Sequence, residues 1–306
     1  MLKKIILFLF ILAIGITGWY LFIKKYDYTL NFTVNNSVSQ VFYETGDLRN
    51  FGLEPQKDKI SRIAAKEYKS LDQKILQNQQ PAILLNWQFD PIDTSKTAIS
   101  LNFTSERNKL KNRLQILNPF QDNKLVDSVK LYITTFVKSV KNKKATYKIE
   151  INEGVAQTPS QFCICNTSKA IPASQKALEM VSTIDILEDY FLNNNLERDG
   201  YPFVKVTFWD RSTDLIDFDF CYPVKPKDSL PKDPNVQLKQ FKTENAMKAI
   251  FNGNYRMSHL AWQEMLYEAS KSEKVLKLKP MEVFYNNPNT DTEPLKWKAD
   301  IFMPLE

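Results

Sequence analysis

Glu282 is the lone acid in an apolar and aromatic run, Met281-Glu282-Val283-Phe284-Tyr285. Such a run predicts a strand, on which Glu282 points to the face opposite Met281 and Val283. Two placements are open for its carboxylate: the solvent side of an edge strand, or an inward cavity. An inward carboxylate needs a partner or a polar cavity, because an unpaired buried charge is costly. An organic cation would be such a partner, and nearby rings would add cation–π attraction. The aromatic candidates to wall the site are Tyr255, Trp262, Phe203 and Phe284. For Tyr255 a core-packed turn residue is the alternative, and Trp262 also reads as a plain core aromatic. A catalytic version of the site would use Glu282 as the general base that activates water and Tyr255 as a hydrogen-bond donor.

Other chemistry is scarce. The chain has one histidine, His259, which reads as a surface helix residue. Its three cysteines, Cys163, Cys165 and Cys221, read as small buried apolar side chains. A C-x-C pair on a strand does not easily close on itself, and one histidine argues against a Cys/His zinc site. There is no G-x-S-x-G, Walker loop, dinucleotide fingerprint or H-E-x-x-H. A histidine-based triad would have to use His259, with no motif to support it. No helix-turn-helix is evident. No cofactor, metal or nucleic acid is expected.

The elements that position these residues follow an apolar N-terminus. Ile5 to Ile23 carries no charge and is bracketed by Lys3-Lys4 and Lys24-Lys25. At ~1.5 Å per residue it spans roughly 28 Å, enough for a bilayer core. A cleaved signal peptide would have a shorter apolar region and a small-x-small site followed by polar residues. Here Trp19-Tyr20-Leu21-Phe22 continues the apolar run past Ala13, Gly15 and Gly18. The sequence therefore predicts an uncleaved single-pass anchor in residues 1–25. The small positive excess before the span places the N-terminus in the cytoplasm and the rest outside. The net charge of +6 over 306 residues gathers beside this span and at Lys141, Lys143 and Lys144. That pattern suits a membrane surface better than a nucleic-acid groove.

Residues 28–145 form one predicted domain. Strands are expected at Tyr28 to Val34, Ala82 to Phe89, Thr97 to Thr104 and Leu110 to Leu117. Asp90-Pro91-Ile92-Asp93 reads as a turn and Asn118-Pro119 as a stop. A long helix over 123–141 has Leu125, Val129, Tyr132, Phe136 and Val140 on one face. Residues 150–306 form a second domain. An opening strand passes through Cys163-Ile164-Cys165, and a helix follows from about Pro172, with Ala177, Met180, Ile184, Leu187 and Phe191 aligned. Strands at Phe203 to Trp209 and Phe218 to Val224 come next. Residues 236–251, a turn at Gly253-Asn254, a helix from about Arg256 to Lys271, and strands at Met281–Tyr285 and Lys298–Met303 repeat this plan. Asp219-Phe220-Cys221-Tyr222-Pro223-Val224 recurs as Asp300-Ile301-Phe302-Met303-Pro304-Leu305. Such a repeat suggests two like halves that leave a cleft at their seam.

The second domain resembles the GyrI-like family of effector-binding domains. The resemblance rests on Gly200-Tyr201-Pro202-Phe203, the two repeat segments, Gly253-Asn254-Tyr255, Ala261-Trp262, Glu282 through Pro288 and Trp297 through Leu305. It implies a duplicated strand-helix-strand fold, with an acid inside an aromatic pocket that binds amphipathic or cationic compounds. Glu282 takes the acid's place, Tyr255 that of the family's turn tyrosine, and Trp262 that of a helix aromatic. Some relatives hydrolyse reactive small molecules with a pocket Glu and Tyr. Asn254 stands where proline is usual, Ser258 where leucine is common and Phe284 where tyrosine is frequent. Residues 28–145 resemble the SRPBCC or START-like fold through the opening strand, Ser37-Val38-Ser39-Gln40-Val41-Phe42 and the closing helix. The tryptophan-rich stretch that many members carry after a segment such as Asp47-Leu48-Arg49-Asn50-Phe51 is absent.

The expectation is thus an α+β protein with an anchor, a START-like domain and a GyrI-like domain that binds a small molecule without catalysis. The alternatives are a hydrolase using Glu282 and Tyr255, and an interaction protein whose cavities are filled by side chains.

Overall fold

The computed structural model describes residues 2–46, 58–77, 80–107, 109–116, 124–227, 230–272, 274–288 and 290–306. The chain is α+β, with antiparallel sheets. It divides into two compact units, Met1–Lys141 and Asn142–Glu306.

The first unit opens on α1, Leu2–Gly18, extended by a π-helical turn, Trp19–Ile23. Lys3–Ile23 is long and apolar enough to cross a membrane, and none of it is buried in protein. Five strands follow, β1 Tyr28–Val34, β2 Asp58–Lys66, β3 Ser70–Gln77, β4 Gln80–Asp93 and β5 Lys96–Ser105, ordered β1-β5-β4-β3-β2. Helix α2 is Val38–Gly46, α3 is Lys109–Ile116 and α4 is Lys124–Lys144. The apolar stripe of α4, Val129, Ile133, Phe136 and Val140, is buried, and the Phe136 ring lies 5.9 Å from that of Trp87 on β4.

Two expectations for this unit fail. Asp90 to Asp93 is not a turn. β4 runs on to Asp93, and the chain reverses at Thr94-Ser95, where Asp93 Oδ1 accepts from the Ser95 N–H at 2.7 Å. Leu110 to Leu117 is not a strand, since α3 occupies 109–116. Leu110 and Leu114 are exposed, whereas Arg113 of the same helix is buried. The apolar spacing therefore does not mark the inward face. Asn118-Pro119 and Asp47-Leu48-Arg49-Asn50-Phe51 lie outside the described residues.

Arg113 fixes the end of the apolar helix. Its Nε donates to Asp27 Oδ1 at 2.8 Å, Nη1 to the Leu21 carbonyl at 2.6 Å, and Nη2 to the Lys24 carbonyl. The Thr104 hydroxyl donates to the other Asp27 oxygen. The last carbonyls of a helix lack intrahelical partners, and a guanidinium supplies donors in a rigid fork.

The second unit carries β6 Tyr147–Ile151, β7 Ala156–Gln157, β8 Gln161–Pro172, α5 Lys176–Asn193, β9 Phe203–Asp210 and β10 Leu215–Pro223. It continues with β11 Gln237–Phe241, β12 Asn245–Gly253, α6 Leu260–Lys271, β13 Met281–Phe284 and β14 Lys298–Pro304. Its sheet runs β11-β8-β10-β9-β13-β14-β12-β6, and β7 pairs with β12. At the end of β12, Gly253 has φ +151°, and a Cβ there would meet Tyr147 Cβ at 2.8 Å and the Thr146 carbonyl at 3.1 Å. The close approach of backbone segments requires glycine at this position.

All three cysteines are buried as expected, but two of them are not free. Cys165 and Cys221 form a disulfide. β8 and β10 place them directly opposite one another, a register that residue type alone does not fix between strands 56 residues apart. Cys163 is a free, buried thiol, and burial pushes its pKa up to about 12.

Candidate site around Glu282

β13 lies in the middle of the sheet, between β9 and β14. Glu282 pairs in register with Val204 and Ile301, so it faces the same side as those residues. Helices α5 and α6 supply the groups packed against that side. Glu282 is 0% exposed. Of its two open placements, the structure adopts the inward one.

The carboxylate meets an ammonium from its own chain. Lys176, at the first position of α5, forms an ion pair with Glu282 Oε2. Lys176 is 1% exposed. Its Nζ also donates to Ser258 Oγ at 2.9 Å. Ser258 Oγ lies 2.8 Å from both Glu282 Oε2 and the Tyr255 carbonyl, and its single proton serves one of them. Two rings flank the ammonium, with Nζ 5.6 Å from the centroid of Trp262 and 5.6 Å from that of Phe284. Burial lowers the pKa of Lys176, and the adjacent Glu282 charge opposes that shift.

This satisfaction is incomplete. Among the described residues, Glu282 Oε1 and Trp262 Nε1 are buried and have no hydrogen-bond partner. Leaving such groups unmade costs of order 1–3 kcal/mol each.

Tyr255, Trp262 and Phe284 are brought together around Glu282, but in different ways. Trp262 is fully buried on α6 and packs edge-on to Trp209 at 5.1 Å. The Tyr255 ring stacks obliquely on Phe284 at 4.7 Å and Trp297 at 5.6 Å. Its hydroxyl donates to the Lys298 carbonyl at 2.9 Å and accepts from the Asn286 N–H at 3.1 Å. Burial pushes that phenol up to about 12. Phe203 is not part of the cluster. It pairs with Val283, not Glu282, and lies on the other face of the sheet with Cys163, Cys165, Cys221, Met281 and Phe302.

His259 is also inside, contrary to the surface position expected. It is 3% exposed, with its ring 6.5 Å from Trp262. A short 3-10 turn, Tyr255–Met257, precedes α6, so the helix starts at Leu260 and His259 turns inward at its entrance. Burial, then the Lys176 and Lys143 charges, pushes its pKa down to about 3.

Sequence reasoning found the acid and three of the rings but missed its partner. Lys176 lies 106 residues from Glu282, and nothing local separates it from a solvated lysine. Ser258 did carry a signal, as a small polar residue where the resembled family has leucine.

Comparison with family models finds no match, and comparison with curated proteins finds none. Among solved structures, the EcmrR C-terminal domain is similar at 15% identity and TM-score 0.44, over 52% of this chain and 98% of that one. SAV2435 bound to tetraphenylphosphonium is similar at 10% identity and TM-score 0.34, over 51% and 94%. A hydrolase encoded by lin2189 from Listeria innocua is similar at 15% identity and TM-score 0.32, over 56% and 98%. At these TM-scores the likenesses carry no argument about activity.

Proposed function

We propose that this is a membrane-anchored protein whose second unit binds a small amphipathic or cationic molecule at Glu282 without turning it over. The observation that carries the reading is a fully buried carboxylate, one oxygen of which has no partner among the described residues, set among Trp262, Phe284 and Tyr255. An organic cation fits that combination of charge and ring faces. Hydrolysis is the weaker reading, because the Tyr255 proton is already committed to the Lys298 carbonyl.

We also propose that the second unit is a duplicated GyrI-like module. Two features support this. The strand orders β8-β10-β9 and β13-β14-β12 mirror each other across the β9–β13 pair. Asp219 and Asp300, the first residues of the two sequence repeats, are both buried and paired with lysines, Lys239 at 2.6 Å and Lys248 at 2.7 Å. The first unit is proposed as a START-like scaffold, on the strength of α4 lying over its sheet. Lys3–Ile23 would hold the chain in the membrane. The Cys165–Cys221 bond supports an extracytoplasmic second unit, because disulfides persist in oxidising compartments.

The Lys176 ammonium favours one second reading, a site permanently filled by its own side chain in an interaction protein. Native mass spectrometry of the detergent-extracted chain separates the two, since a binder should carry a small molecule. Calorimetric titration with a matched cationic and neutral pair is the second test. Glu282→Gln should weaken cation binding by about 5- to 150-fold, about 1–3 kcal/mol, and spare the neutral analogue. Equal losses for both ligands, with nothing copurifying, would favour the filled site.

A further inference from the structure

We infer that Lys176 is a tethered cation that competes for the Glu282 site and so determines which ligands the site accepts. The inference rests on reading Glu282 as the ligand-binding group. It starts from how poorly Lys176 suits its location by other criteria. A lysine has a strongly hydrated ammonium, and apolar residues of similar volume fill a buried site at lower cost. Lys176 is also the first residue of α5, where the helix dipole disfavours positive charge. The residue before it, Gln175, makes no side-chain cap. Local structure therefore gives no reason for an ammonium here.

Its contacts are those of a bound alkylammonium. Nζ has three protons. It meets the Glu282 carboxylate, the Ser258 hydroxyl at 2.9 Å, and two ring faces at 5.6 Å. The second carboxylate oxygen and Trp262 Nε1 have no partner among the described residues, so the site holds more polar capacity than Lys176 uses. Glu282 comes from β13 and Ser258 and Trp262 from the segment before it, whereas Lys176 comes from α5, in the preceding helix-and-strand set. A free cation at Glu282 would thus release the start of α5 from β13.

The test is chemical rescue. Lys176→Ala removes the three outer methylenes and the ammonium, a shape that n-propylammonium matches. Thermal unfolding and calorimetry of the full-length chain in detergent would compare n-propylammonium with 1-propanol at constant ionic strength. K176A should bind n-propylammonium saturably, at least 10-fold more tightly than the unsubstituted chain does, and be stabilised by it but not by 1-propanol. K176A/E282Q, which lacks both charges, should show no preference for the amine. Should K176A not fold alone, recovery from urea with n-propylammonium but not with 1-propanol would support the inference equally. Equal affinity in K176A and the unsubstituted chain would overturn it. So would absence of rescue in K176A while K176A/E282Q folds. Rescue in K176A with no ligand on the native chain would leave the tethered cation standing and sink the small-molecule reading instead.

Discussion

The two units each bury an ion pair, and the pairs are built differently. In the first unit, three donors of Arg113 reach Asp27 and two carbonyls, and Thr104 takes the second carboxylate oxygen. In the second, Lys176 pairs with one oxygen of Glu282, Ser258 Oγ lies 2.8 Å from that same oxygen, and the other oxygen has no hydrogen-bond partner among the described residues. A closed set of hydrogen bonds is what a structural clasp needs. A half-closed set among rings is costly for stability alone, and it is where a ligand would find unused partners.

Single substitutions should damage both pairs about equally, and this is the largest effect. Arg113→Leu and Lys176→Met each leave a buried carboxylate uncompensated, at a cost of about 3–5 kcal/mol. Hydrogen exchange should place the first loss in Met1–Lys141 and the second in Asn142–Glu306. Loss spread over both units would mean that the pairs do not act locally.

The disulfide should come next. Cys165→Ala with Cys221→Ala should lower stability of the second unit by about 2–4 kcal/mol. The first unit has no cysteine and should be indifferent to reductant. A midpoint shift in the first unit on adding dithiothreitol would contradict this.

Double substitutions sharpen the contrast. Lys176→Met with Glu282→Leu removes both charges and should be neutral or stabilising by up to about 1–4 kcal/mol. Asp27→Leu with Arg113→Leu should still cost about 1–3 kcal/mol, because the Leu21 and Lys24 carbonyls and the Thr104 hydroxyl lose their partners. Denaturant midpoints of the two doubles give the comparison directly. If both were neutral, the clasp and the site would be energetically alike.

The remaining effect is one of pH, small per unit and cumulative over several units. His259 stays neutral in the fold down to about pH 3, whereas in the unfolded chain it charges near the usual value of about 6.5. The unfolded chain therefore binds the extra proton across that window. Stability is full above it and falls as pH drops, by about 1.4 kcal/mol per unit at most. Unfolding of the native chain and of His259→Gln between pH 7 and pH 4 should diverge in this way. Parallel curves would place the histidine in contact with solvent.

How far the sequence foretold this follows from the range over which each signal acts. The helical spacing of Met180 and Leu187 is local, and both are buried as that spacing requires. The membrane-length run at Lys3–Ile23 is local too. Glu282 could be placed on a strand and narrowed to two faces, because alternation is also local. Its partner could not, since Lys176 reaches it only through the packing of α5 on the sheet. The Cys165–Cys221 pairing likewise depends on the register of β8 against β10. Leu110 and Leu114 misled for a different reason. Period alone assumes that apolar residues point inward, and in α3 Leu110 and Leu114 are exposed while the charged Arg113 is buried.

The Cys165–Cys221 bond closes a ring of chain that contains the whole of α5 and β9. A single cut in the connection at 194–202 would open that ring without dividing the molecule, since both pieces would remain joined through sulfur. On an unreduced gel the nicked protein would migrate undivided, and reductant would separate it. Lys176 lies inside the ring, so one backbone break there would not free it from its position opposite Glu282.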